Sequence, residues 1–219
     1  MKNLLLVLCV FFLLSTITNA ARIDFAAVSA EGTYVNNLSL LTDGTFPGEG
    51  TRWDSTATVQ FSRYSENANT EYFTFDMGSL HTIDDIIISV DNNDSYKIEY
   101  STDNSTWSSL TTAYLSFGEV GGGMDTLSSF SGNTEYVSGL DFDPSGPARY
   151  IRIYVDGWAN VISRDFSEPR IGDGAFAIGE FQAFGDVFVQ SSPVPEPGTM
   201  LLFGLGLLGL SGISRKRKP

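Results

Sequence analysis

The chain has 219 residues, with 26 Asp and Glu against 13 Lys and Arg and a formal net charge of −13. That balance argues against nucleic acid as a partner and against unaided adhesion to anionic lipid, both of which need a cationic surface. One cysteine, Cys9, rules out an intrachain disulfide and a thiolate zinc site.

The N-terminus reads as a secretory signal peptide over residues 1–20. Lys2 supplies the positive start, Leu4 to Leu14 the apolar core, and Thr18-Asn19-Ala20 the small residues before a cut after Ala20 (or Ala21). Cys9 lies in that core, so the exported part has no cysteine. Without Lys2 and the four basic residues near the C-terminus, eight Lys and Arg face 26 Asp and Glu, a formal charge near −18. Such a surface stays solvated, repels itself and attracts divalent cations.

Residues 21–186 have one domain's length and an all-β pattern. Phe73, Phe75 and Met77 alternate with Tyr72, Thr74 and Asp76, and Tyr96, Ile98 and Tyr100 alternate with Lys97, Glu99 and Ser101. Arg149 to Val155 alternates with mixed character on both faces. These period-2 runs, rich in aromatic and β-branched residues, predict strands. Asp91-Asn92-Asn93-Asp94 reads as a hairpin connection. It resembles the start of an EF-hand loop but has Tyr96 where glycine is needed and Thr102 where glutamate belongs. Gly78-Ser79-Leu80-His81-Thr82 reads as the loop after a strand, and 116–147 as a loop-rich stretch punctuated by Gly121-Gly122-Gly123 and Pro144-Ser145-Gly146-Pro147. No segment before the C-terminal run keeps a 3.6-residue period. Many short strands with turn signals predict an antiparallel sandwich or jelly roll.

Residues 187–199 form a proline-containing linker with Pro195-Glu196-Pro197, held extended because proline disfavours helix in the residue before it. Met200 to Ile213 carries no charge. As a helix it spans roughly 21 Å, short of a ~30 Å hydrocarbon core, which makes a marginal membrane segment. Arg215-Lys216-Arg217-Lys218 would remain cytoplasmic under the positive-inside rule. Gly204-x-Gly206-x-x-Gly209 matches a dinucleotide fingerprint in letters only, because it follows no strand and lacks the downstream acid. This three-part tail resembles the PEP-CTERM sorting signal of Gram-negative, exopolysaccharide-producing bacteria. The resemblance implies Sec export, transient anchoring in the inner membrane, and processing near Pro195-Glu196-Pro197 by an exosortase-type membrane protease.

The body has a resemblance of its own. Leu41-Thr42-Asp43-Gly44, Thr51-Arg52-Trp53, Phe73 to Gly78, Ile83 to Ile86, Tyr96 to Asp103, Trp107, Ala148 to Ile153 and Ile178 to Gly185 occur in the order of discoidin-like domains. These are also called coagulation-factor type C or galactose-binding-like domains. The resemblance implies an antiparallel jelly-roll β-sandwich that binds through loops at one end, often above a structural Ca²⁺. The matching positions for the ion are Asp43, Thr51 and Glu180, oxygen donors of the kind Ca²⁺ takes. The 44–50 loop is longer than the family's usual turn, which could displace Thr51 or put Glu49 in its place.

The family's carbohydrate-binding members pair an exposed aromatic with Arg, His or Asn from the loops. Trp158, Arg63, Tyr64 and His81 are the matching candidates; Trp53 and Trp107 read as structural. No nucleophile elbow, zincin motif or phosphate loop occurs, and His81 is the only histidine. The expectation is therefore a non-enzymatic, exported protein that binds exopolysaccharide or another surface glycan. A non-binding structural matrix protein is the alternative, and a glycan hydrolase a third.

Overall fold

The computed structural model describes residues 20–61, 71–120, 122–156 and 176–190, together with Leu202, Phe203 and Leu205. The signal peptide, Arg63, Tyr64, Trp158 and the Pro195-Glu196-Pro197 motif fall outside these residues. Contacts divide the chain into two units, Met1–Phe188 and Val189–Pro219. In the second, Leu202, Phe203 and Leu205 are helical and exposed. Among the described residues no helix is long and apolar enough to cross a membrane.

The first unit is the predicted all-β sandwich. Its strands are β1 (Ala21–Arg22), β2 (Ala27–Glu31), β3 (Tyr34–Val35), β4 (Val59–Phe61), β5 (Tyr72–His81), β6 (Asp85–Asp91), β7 (Ser95–Ser101), β8 (Ser108–Ala113), β9 (Met124–Ser128), β10 (Ala148–Asp156) and β11 (Ala177–Gly185). One sheet has the order β3-β4-β11-β6-β9 with β1 also paired to β11; the other has the order β2-β5-β10-β7-β8. The strand pairs are antiparallel.

Between the sheets lies an aromatic core. Alternation turns Phe73, Phe75 and Met77 of β5, and Ile151, Ile153 and Val155 of β10, inward. Phe61 stacks obliquely on Phe73 and Phe176 with ring centroids 4.6 and 4.8 Å apart, and Phe75 meets Phe181 at 4.8 Å. Tyr96 is fully buried because its hydroxyl donates to the carbonyl of Ala177 (3.2 Å) and accepts from its N–H (3.3 Å).

Three local expectations are corrected. The 92–94 turn is not a hairpin: β6 and β7 lie in different sheets, so this turn carries the chain across the sandwich. His81 ends β5 rather than lying in a loop, paired opposite Ala148 of β10. The 116–147 stretch contains β9, whose five residues are all buried against β6 with Leu127 opposite Ile88. Met-Asp-Thr-Leu-Ser has weak strand propensity by itself; the pairing edge of β6 imposes the conformation.

Candidate functional site

Loop 42–50 folds against β11. Pro47 sits where Gly179 has no side chain, at the bulge between Ile178 and Glu180. The Glu180 side chain is fully buried, and its Oε1 accepts from the N–H of Gly44 and from Nε2 of Gln182, both at 3.0 Å. Its Oε2 is enclosed and has no hydrogen-bond partner. Burial raises the pKa of this carboxyl; the bonds from Gln182 and Gly44 oppose the shift and the charge of Asp43 reinforces it. Asp43 itself closes an Asx turn, its Oδ1 accepting from the N–H of Thr45 at 2.8 Å.

Asp43 and Glu180 thus face one another electrostatically, and the spare buried oxygen of Glu180 fits a hard cation. Thr51 is engaged elsewhere, its carbonyl accepting from the N–H of Met124 at 2.7 Å. Glu49 is engaged as well, with Oε1 accepting from the N–H of Thr126 at 3.3 Å. Among the described residues, no three His, Cys, Asp or Glu side chains gather as a metal-binding group.

His81 is buried to 9 % exposure, and its Nδ1 lies 3.0 Å from the carbonyl oxygen of Ser79. Its backbone bridges Val187.

Sequence reasoning missed the outer face of the five-stranded sheet. With odd positions of β5 and β10 turned into the core, Tyr72, Thr74, Arg152 and Tyr154 face outward. The connection between β7 and β8 then lays Trp107 against the Arg152 guanidinium, 4.3 Å from carbon to ring centroid. Tyr72 and Tyr154 flank the same guanidinium at 5.2 and 5.5 Å. Across the ladder, Arg152 lies opposite Glu99 and donates from Nη2 to Oε2 at 2.6 Å. The Tyr154 hydroxyl donates to Oε1 of Glu99 at 3.1 Å, and Lys97 Nζ approaches it at 4.0 Å.

Above this floor opens a groove of about 430 Å³, lined by Trp107 and Tyr72, the hydroxyls of Ser29 and Thr74, Asn104 and Glu31. Asn104 holds a left-handed backbone, φ 60°, while its N–H donates to Ser101 Oγ at 3.0 Å. Asp103 secures the turn by accepting from the N–H groups of Ser105 and Thr106, both at 2.9 Å, and these bonds hold its pKa well below the ordinary range. The available sequence signal was an arginine and two tyrosines on the non-core phase of two strands.

A smaller recess of about 60 Å³ adjoins Asp125 and Glu135. Asp125 is fully buried, and its Oδ2 accepts from the N–H groups of Glu119 (2.7 Å) and Val120 (3.2 Å). Desolvation of the Glu49 carboxyl, then the charge of and hydrogen bond with Asp125, push Glu49 up to about 7.

Residues 25–165 match the F5/8 type C domain, and residues 193–218 match the PEP-CTERM protein-sorting motif. The chain belongs to the F5/8 type C domain family. It carries, in addition, a PEP-CTERM sorting motif at its C-terminal end. Among solved structures, it is similar to a truncated AlyQ with CBM32 and alginate lyase domains: 20 % identity, 80 % of this chain, 36 % of that one, TM-score 0.44. It is also similar to the CBM32 of AlyQ in complex with 4,5-unsaturated mannuronic acid, with 20 % identity over 74 % of this chain and 97 % of that one, TM-score 0.42. A third is the CBM32-1 and CBM32-2 pair from Clostridium perfringens ZmpB in complex with GalNAc. It shares 11 % identity over 75 % of this chain and 34 % of that one, TM-score 0.47. This chain therefore spans about a third of the length of two of these three. No curated protein matches the sequence.

Proposed function

We propose that this is an exported, exosortase-processed protein whose β-sandwich binds carbohydrate without catalysis, with exopolysaccharide as the partner. The observation that carries the reading is the joining, in one chain, of an F5/8 type C domain over 25–165 to a sorting motif over 193–218. The first is a rigid sandwich suited to non-covalent recognition; the second is an address for export. Calcium belongs to the same proposal. Asp43 and Glu180 would hold it together with main-chain carbonyls of the 42–50 loop, bracing that loop on β11.

The test is binding of the full chain, purified in detergent, to a glycan panel and to the producing organism's exopolysaccharide, in Ca²⁺ and in EDTA. Saturable binding is the expected result. Absence of binding to every glycan by a folded protein would replace this reading with that of a structural matrix protein.

A further inference from the structure

Taking the carbohydrate reading as its premise, we propose that the outer face of the five-stranded sheet is a binding groove for an uncharged polysaccharide segment. It is built from residues other than those the family resemblance points to. Arg152 here is a positioning residue, not an anion receptor.

The floor of the groove explains the assignment. An arginine in a sugar site would ordinarily suggest recognition of a uronate carboxylate, since the guanidinium fork matches carboxylate geometry. Here the arginine is already paired with an acid and partly shut in. Nη2 is bonded to Glu99 at 2.6 Å, with side-chain exposures of 23 % for Arg152 and 12 % for Glu99. Nε is enclosed by protein, without a hydrogen-bond partner. The guanidinium face lies against Trp107 at 4.3 Å, a cation–π contact that fixes the indole at the groove wall. Among the described residues that line the groove, the exposed charge is Glu31. A carboxylate-bearing chain entering the groove would meet that acid and an already neutralised arginine, on a protein whose exported part has a formal charge near −18.

The remaining groups suit a neutral sugar. Trp107 and Tyr72 provide aromatic surface for the apolar face of a pyranose ring. Ser29, Thr74 and Asn104 provide donors and acceptors for its hydroxyls. A volume of about 430 Å³ falls within the range of ordinary ligand sites.

The experiment is affinity electrophoresis of the full chain in detergent, through gels containing galactan, dextran, hydroxyethyl cellulose or polygalacturonate. The wild type should be retarded by a neutral polysaccharide and not by polygalacturonate. Trp107→Ala should weaken that retardation about tenfold, as loss of a stacking platform does. Asn104→Gly is the gentler variant, because glycine accepts the positive φ while the amide is removed; it should weaken binding about threefold. Glu99→Gln, which removes the negative charge that offsets Arg152, should newly admit polygalacturonate. Retardation by a neutral polysaccharide that survives unchanged in both Trp107→Ala and Asn104→Gly would overturn the groove as the site and leave the carbohydrate function standing. Trp107-dependent retardation of the wild type by polygalacturonate would overturn the ligand class. No retardation in any of the four gels would overturn the groove.

Discussion

Glu49 and Asp76 show how single carboxyls shape the pH response. Glu49 titrates near 7 in the folded state against 4.5 for an ordinary glutamate. Between these values the folded protein binds more protons than the unfolded chain, so stability falls as pH rises from about 4.5 to 7. Glu49→Gln should flatten that slope, as followed by urea denaturation at several pH values; an unchanged slope would remove Glu49 as its source. Asp76 acts in the opposite sense. The bidentate bond from Arg149, at 2.9 and 3.0 Å, lowers its pKa, so its contribution is present above the ordinary aspartate range and lost on acidification below it. The pair is partly exposed, so its contribution is small and should shrink in high salt. Asp76→Asn should therefore matter in dilute buffer and much less in 1 M NaCl.

At the level of elements, the sandwich depends on close approaches between connections and strands. Gly185, the last residue of β11, has no room for a Cβ, because the carbonyl of Thr82 occupies that position. A backbone atom cannot swing aside as a long side chain can, so Gly185→Ala should destabilise by about 1–3 kcal/mol. The check is a chemical-denaturation midpoint shift at unchanged slope. Phe75 is the larger wager: it touches Phe25 at 5.1 Å and Phe181 at 4.8 Å from the centre of the core. Phe75→Ala should cost about 3–5 kcal/mol, a large part of the stability of a domain this size. A loss below about 1 kcal/mol would mean that the two sheets do not meet through this residue.

For the whole molecule, the decisive question is whether loop 42–50 is held by an ion as well as by Glu180. A bound Ca²⁺ at about 100 times its dissociation constant would add roughly 2.7 kcal/mol, or about 5–10 °C in melting temperature. Melting in excess Ca²⁺ and in EDTA measures this directly. Glu180→Gln should abolish the difference while keeping an oxygen to accept from Gly44. Equal melting temperatures for the wild type would remove calcium from the proposed function. The rejection of polyanions belongs to the same scale, since it draws on the surface charge of the whole exported domain as well as on Glu31.

Fold class and the β5, β7 and β10 strands were legible from sequence because alternation is a local property: each inward Phe or Ile is followed by an outward residue at the next position. Other features depended on partners distant in sequence. Met124–Ser128 became a strand only because β6 offers it a pairing edge, and the 92–94 turn changed sheets although its composition is that of a hairpin. Trp107 carries no mark in its neighbours that separates a packing residue from a binding one. Its place in the groove comes from Arg152, 45 positions further on, and the charge of that arginine is cancelled by Glu99 on a third segment. Composition and periodicity alone thus determined an acidic, cysteine-free all-β body over residues 21–186. Tertiary structure alone decided which side chains share a surface and which charges remain on it, because those are sums over long-range contacts that no local window contains.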